Sequence, residues 1–225
     1  MNLNEAKQIL LNSRGDIEKT VASEMLKKKF SYETFGKEIE TSVLDLLIDV
    51  FNKAGQKEIR KAKDKNEFPD LTVTLSDGLL AIDIKAGNHY KKSKGRWTAC
   101  KNSNNDLGTI RSWPEKLKKF GGDNIYFVFV EYGINDNLHQ IEAVRIAPFY
   151  KFLDINKKGL LKYRKKDGHL RPKNFEGNSK INSVAQFEPL FITTAIERAK
   201  SIITEHIETI PKEQRNALLD ELKAD

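Results

Sequence analysis

Apolar residues fall at helical spacing through the first fifty positions and at strand spacing after that. Residues 4–12 and 15–29 read as two helices separated by Ser13-Arg14-Gly15. A clearer helix covers about 36–54, where Ile39, Val43, Leu46, Leu47, Val50 and Phe51 keep the i, i+4, i+7, i+8 spacing of one buried face. Gly55 supplies its stop. A short strand is expected near 57–62. Leu71, Val73 and Leu75 then alternate with Thr72 and Thr74, and Leu80, Ile82 and Ile84 alternate with Ala81, Asp83 and Lys85. The pattern predicts strands over 71–75 and 79–86, joined at Ser76-Asp77-Gly78, a hairpin signal.

A polar stretch from Gly87 to Arg111 follows. Ser112-Trp113-Pro114-Glu115 predicts a helix start with a Ser112–Glu115 capping box and proline in the first turn. That helix stops at Gly121-Gly122. Residues 124–131 form a near-continuous apolar run, the pattern of a strand buried on both faces. Further on lie a strand near 140–146, a Lys/Arg-rich hairpin around 160–171, a long helix at about 187–208 and an amphipathic helix after Pro211. The step from strand 79–86 through helix 112–120 to strand 124–131 suits a parallel crossover. The expected class is therefore α/β: an αβββαβ core over about 36–131, its mixed central sheet flanked by helices, with a basic β-ribbon and C-terminal helices added. No repeat or low-complexity linker divides the 225 residues, so a single domain is expected.

Charge sharpens this picture. Charged residues make up 32% of the chain, above the usual quarter or so. Lys+Arg at 39 against Asp+Glu at 32 leaves a formal charge of +7, which favours a polyanionic partner such as nucleic acid. Cys100 is the only cysteine, so no intrachain disulfide forms, in keeping with a reducing cytoplasm. No apolar signal segment follows Met1, and the strongest apolar run, 125–130, is far too short to span a bilayer. A soluble cytoplasmic protein with no membrane partner is expected.

The chemistry concentrates in the hairpin. Asp70, Thr72 and Thr74 share one strand face, and Ala81, Asp83 and Lys85 share one face of the next. A turn at Ser76-Asp77 sets Asp70 across from Asp83; a turn at Asp77-Gly78 sets it across from Lys85. Either register gathers all three groups on one face away from the core. Adjacent carboxylates repel unless a cation joins them, and Mg²⁺ prefers carboxylate oxygens. Such an ion lowers the pKa of a bound water and neutralises charge on a transferring phosphate, while a neighbouring ammonium orients that water. The trio has the parts for phosphodiester hydrolysis.

Phe68-Pro69-Asp70, followed by Ala81-Ile82-Asp83-Ile84-Lys85, resembles the signature of the PD-(D/E)xK nuclease superfamily, and the αβββαβ order is that of its restriction-endonuclease-like core. Phe-Pro-Asp-Leu-Thr-Val and Ala-Ile-Asp-Ile-Lys are similar to the EcoRV type of type II restriction endonuclease. The resemblance covers somewhat under half the chain. It implies that Asp70 and Asp83 hold the metal with the carbonyl of Ile84, that Lys85 serves the attacking water, and that Glu40 is an auxiliary ligand, with Glu38 in reserve. It further implies Mg²⁺ as cofactor, Mn²⁺ as a substitute, Ca²⁺ supporting binding without cleavage, a bacterial or archaeal source, and a cognate DNA methyltransferase that is not a physical partner.

Two segments are candidate contacts to double-stranded DNA. In the first, Lys91, Lys92, Lys94, Arg96 and Arg111 can meet phosphates, and Asn102, Asn104 and Asn105 can read adenine edges. The second, residues 157–180, carries nine Lys/Arg against Asp167 and Glu176. There Lys165-Lys166-Asp167-Gly168 would project Lys162, Arg164, Lys165, Lys166, Arg171 and Lys173 on a ribbon. Trp97 and Trp113 read as packing residues, and the four histidines lack metal-ligand spacing. One active site per chain against two strands implies a homodimer on a palindromic site, with 187–206 and 212–223 as its contact. A repair or recombination nuclease, or a DNA-binding protein without catalysis, fits the same sequence less fully.

Overall fold

In the computed structural model, residues 1–27, 35–64, 67–91, 97–98, 106–135, 138–172, 177–212 and 214–215 are described. Among them three N-terminal helices, α1 (Leu3–Asn12), α2 (Arg14–Lys27) and α3 (Phe35–Lys53), precede strands β1 (Ile59–Lys61), β2 (Leu71–Leu75), β3 (Gly78–Lys91) and β4 (Trp97–Thr98). Helix α4 (Trp113–Phe120), strands β5 (Ile125–Asn135) and β6 (Leu138–Pro148), and helix α5 (Val184–Glu208) complete the order. The sheet runs β1-β2-β3-β5-β6, with β4 paired to the far end of β3. Its β3–β5 pair is parallel and the others antiparallel, so the expected mixed sheet and crossover are both present.

Each face of the sheet is covered because each strand face is apolar. Even-numbered residues of β3 and β5 (Leu80, Ile82, Ile84, Tyr126, Val128, Val130) join Leu71 and Val73 against Ile39, Val43, Leu47 and Phe51 of α3 and the buried residues of α1 and α2. Odd-numbered residues (Ala81, Ile125, Phe127, Phe129) face a second core of Trp113, Phe120, Phe149, Phe152, Phe187 and Phe191. The face carrying Asp83 is thus itself a core face over most of its area, not the core-free one expected. Gly55 ends α3 at φ +84, a conformation that side chains rarely adopt.

Two expected details differ. Ser112 makes no capping box: a 3-10 turn over Ile110–Ser112 leads into α4, so Ser112 already has helical backbone angles. Thr109 caps instead, accepting from the Ser112 N–H at 3.3 Å. The basic segment also does not project as a ribbon. It has isolated bridges, Tyr163 with Leu170 and Ile155 with Leu161 among them, and Leu161 and Leu170 are fully buried. Backbone bonds from Leu107 N–H to Leu170 C=O (3.0 Å) and from Leu170 N–H to Gly108 C=O (2.9 Å) tie it to the chain before α4. Its leucines need burial as much as its cations need water. The turn itself is as read, with Gly168 at φ +76 and its N–H bonded to Arg164 C=O.

Helix α5 starts at Ser183, whose hydroxyl accepts from the Gln186 N–H. Phe187 contacts Phe149 edge-on at 4.8 Å between centroids and Trp113 at 5.7 Å, whereas Ile192, Ile196 and Ile203 are exposed. Phe187→Ala should therefore cost about 3–5 kcal/mol in urea denaturation, and Ile196→Ala about 0.5 or less in the isolated chain. Equally small losses would contradict the packing assignment of α5.

Candidate active site

The β2–β3 ladder runs from Leu75↔Gly78 to Leu71↔Ile82. Ser76-Asp77 is therefore the two-residue turn, and one step beyond the ladder Asp70 stands opposite Asp83. Beyond Leu71, β2 no longer pairs with β3, and amides on that edge of β3 need other acceptors. Asp70 Oδ2 accepts from Ile84 N–H at 2.6 Å, and Glu40 Oε1, reaching from α3, accepts from Ala86 N–H at 3.1 Å. Lys85 Nζ lies 2.7 Å from Asp83 Oδ2. Asp70, Asp83, Lys85 and Glu40 are thus brought together, with Glu40 placed on this edge by the bond it accepts from the Ala86 amide.

Burial sets the electrostatics. Asp70 is pushed up to about 7, first by desolvation and then by the charge of Asp83; Lys85 and the Ile84 amide only partly oppose this. Glu40 is raised too, chiefly by burial, with Lys85 pulling the other way. For Lys85 burial alone would lower the value, but Asp83, Asp70 and Glu40 outweigh it and hold the ammonium above the ordinary lysine range. Lys85 is consequently a fixed cation and a poor proton acceptor near neutral pH.

No three His, Cys, Asp or Glu side chains among the described residues converge as a ready cage for a metal. The donor chemistry nevertheless fits a hard divalent cation, which needs only one or two carboxylates and keeps several waters. Asp70 and Asp83 supply those carboxylates, and one of them resists ionisation in the absence of further positive charge.

A second ammonium, absent from the sequence reading, stands near this cluster. Lys116 of α4 lies 3.7 Å from the Phe68 ring centroid and 5.1 Å from that of Trp113. Nothing in Lys116-Leu117-Lys118-Lys119 marks it by type, but position does. Trp113, Leu117 and Phe120 form the inward stripe of α4, and Lys116 falls within it at i+3 from Trp113.

The expected DNA contacts divide three ways. Lys92, Lys94, Arg96, Asn102, Asn104, Asn105 and Lys173 lie outside the described residues, and of Lys91 only the backbone is described, paired with Trp97. Arg111 is exposed, and Arg171 is half-buried. Lys162 pairs with Asp154 at 3.3 Å, and Arg164 donates from Nε to Asp167 at 2.8 Å and lies 3.8 Å from Asp106. Lys165 and Lys166 are exposed at the turn.

The raised value of Asp70 has a definite sign. A carboxyl whose folded pKa exceeds its unfolded one stabilises the fold fully below the unfolded value and loses that contribution as pH rises through the folded value. Between about pH 4 and 7 the metal-free wild type should lose stability that Asp70→Asn retains. Above pH 7 the variant should melt higher, by a scan in chelator; parallel melting curves across that range would contradict the buried-carboxyl assignment.

No family model matches the chain, and no curated protein matches it. Among solved structures the chain is similar to the NlaIV restriction endonuclease, at 10% identity and a TM-score of 0.48 over 70% of this chain and 64% of that one. The chain thus spans less than two thirds of that enzyme's length. No helix among the described residues is long and apolar enough to cross a membrane.

Proposed function

We propose that the protein is a divalent-metal-dependent nuclease that hydrolyses phosphodiester bonds of double-stranded DNA. The observation that carries this reading is the opposition of Asp70 and Asp83 just before β2 begins, with the Lys85 ammonium 2.7 Å from Asp83. Asp70, Asp83 and the Ile84 carbonyl would hold Mg²⁺, with Glu40 auxiliary. When bound, that ion supplies an acidic water and charge neutralisation at phosphorus. Glu40 and Asp70 hold the β3 edge in place by accepting hydrogen bonds from the Ala86 and Ile84 N–H groups, and so fix where Asp83 and Lys85 point. Lys85, held beside Asp83, donates hydrogen bonds to the attacking water and to the developing negative charge. In the overall reaction the water oxygen bonds to phosphorus, one ester P–O bond breaks, and the departing alkoxide takes up a proton.

The finer reading is a type II restriction endonuclease acting as a homodimer at a palindromic site, with Mn²⁺ able to replace Mg²⁺, Ca²⁺ supporting binding only, and a methyltransferase protecting host DNA. The motif Phe68-Pro69-Asp70 with Asp83-Ile84-Lys85 supports it. Incubation with phage DNA and Mg²⁺ separates the alternatives: discrete bands fit the restriction role, a smear a less specific nuclease, and intact DNA a binding protein.

Asp83→Ala should abolish cleavage and leave DNA affinity in Ca²⁺ unchanged or tighter, because it removes a ligand and a charge that repels phosphate. Cleavage near the wild-type rate would sink the site assignment. Within the basic segment, Lys165 and Lys166 present exposed charge at the turn. Changing both to Gln should flatten the dependence of log K on log salt by up to about 0.9 per lost contact. An unchanged slope would remove this turn from the binding surface.

A further inference from the structure

We propose that Lys116 is a second cation of the active site, contacting the phosphate oxygens of the bond to be cut. This rests on the nuclease reading and adds to it a residue outside the sequence motif. The ammonium is held in a slot built for it. Phe68, two residues before Asp70, presents its ring 3.7 Å below Nζ, and a Cβ on Gly108 would fall only 2.5 Å from Nζ. Gly108 itself sits at φ +89, a backbone conformation that side chains rarely adopt, so the wall of the slot at this point is bare backbone.

What the slot lacks is a carboxylate. Among the described residues Lys116 has no ion pair; its ammonium lies against the rings of Phe68 and Trp113. Lys162, Lys200 and Lys61, out on the surface, are all paired. A half-buried ammonium without a partner is costly, and cation–π contact offsets only part of that cost. The groups that act on it at longer range are Asp83 and Lys85 of β3 and Asp106 of the segment before α4, and burial together with Lys85 brings it down to about 8. An anion arriving beside Asp83 and Lys85 would supply the missing counter-charge. The DNA phosphate is such an anion, and the ammonium is already desolvated and positioned before it arrives, as an effective electrostatic catalyst requires.

The pairing of Phe68 with Lys116 also gives the phenylalanine of Phe68-Pro69-Asp70 a task. Its ring packs on Phe120 at 6.1 Å and Phe127 at 6.4 Å between centroids, so it is a rigid floor anchored in the second core. The same short stretch thus fixes a carboxylate, Asp70, and the seat of a cation.

The test uses the full chain in single-turnover cleavage of duplex DNA with Mg²⁺, comparing wild type, Lys116→Met, Lys116→Arg and Asp83→Ala. Methionine keeps the stem over Phe68 and removes the charge, so Lys116→Met should cut about 100-fold more slowly, the scale of losing one preorganised donor. Lys116→Arg should recover a substantial part. DNA affinity in Ca²⁺ should fall only slightly, with the salt slope reduced by up to about 0.9. Wild-type rates in Lys116→Met, or a loss that Lys116→Arg shares in full, would overturn the assignment even with the nuclease reading intact. If the wild type binds DNA and never cuts it, the nuclease reading fails and the salt slope alone decides: a reduced slope retains Lys116 as a phosphate contact, and an unchanged one removes it.

Discussion

Where β2 leaves β3, the amides of Ile84 and Ala86 must find acceptors, and they find carboxylates. A backbone N–H left unpaired in such a place would cost about as much as a lost hydrogen bond. Asp70 and Glu40 meet that requirement from two different places, the residue that leads into β2 and the body of α3. Burying carboxylates there raises their affinity for protons, and the neighbouring Asp83 raises it further for Asp70. The backbone is thereby satisfied and negative charge concentrates at one point of a largely apolar sheet. Lys85 balances part of it, and a divalent cation is the chemical complement of what remains.

The rest of the fold holds that point still. The parallel pairing of β3 with β5 sets Asp83 beside Phe127 and Lys85 beside Phe129, whose rings stack at 5.9 Å in the second core. Sheet faces packed on both sides leave little freedom for a strand to shift register, since a one-residue slip would turn every buried side chain outward. Helix α4 closes the crossover and carries Lys116 into the same neighbourhood. Two cations and three carboxylates are thus mounted on β3, the residue before β2, α3 and α4, with the ring of Phe68 under Lys116.

Much of this was legible in the sequence for physical reasons. Alternation is strict in 71–75 and 79–84, so the hairpin and its apolar face followed directly, and only the choice between two turns remained; the ladder selects Ser76-Asp77. Helical spacing locates α3, whereas Glu40's place at the site is seen only in space, through the bond it accepts from the Ala86 amide. The capping box failed because a 3-10 turn, which has no strong pattern of its own, precedes α4. The basic segment does not project because Leu161 and Leu170, which its charge pattern masks, are taken into the second core. Lys116 stayed hidden since its significance comes from Phe68 and Gly108, distant in sequence.

The central claim is that Asp70 and Asp83 form a divalent cation site. Calorimetric titration of Mn²⁺ into the DNA-free protein near pH 7 tests it most directly, repeated in two buffers of different ionisation enthalpy. With Asp70 held at about 7, binding should release protons, so the observed heat should depend on the buffer. Asp83→Asn should abolish saturable binding. Buffer-independent heats, or the same isotherm for wild type and Asp83→Asn, would contradict the account.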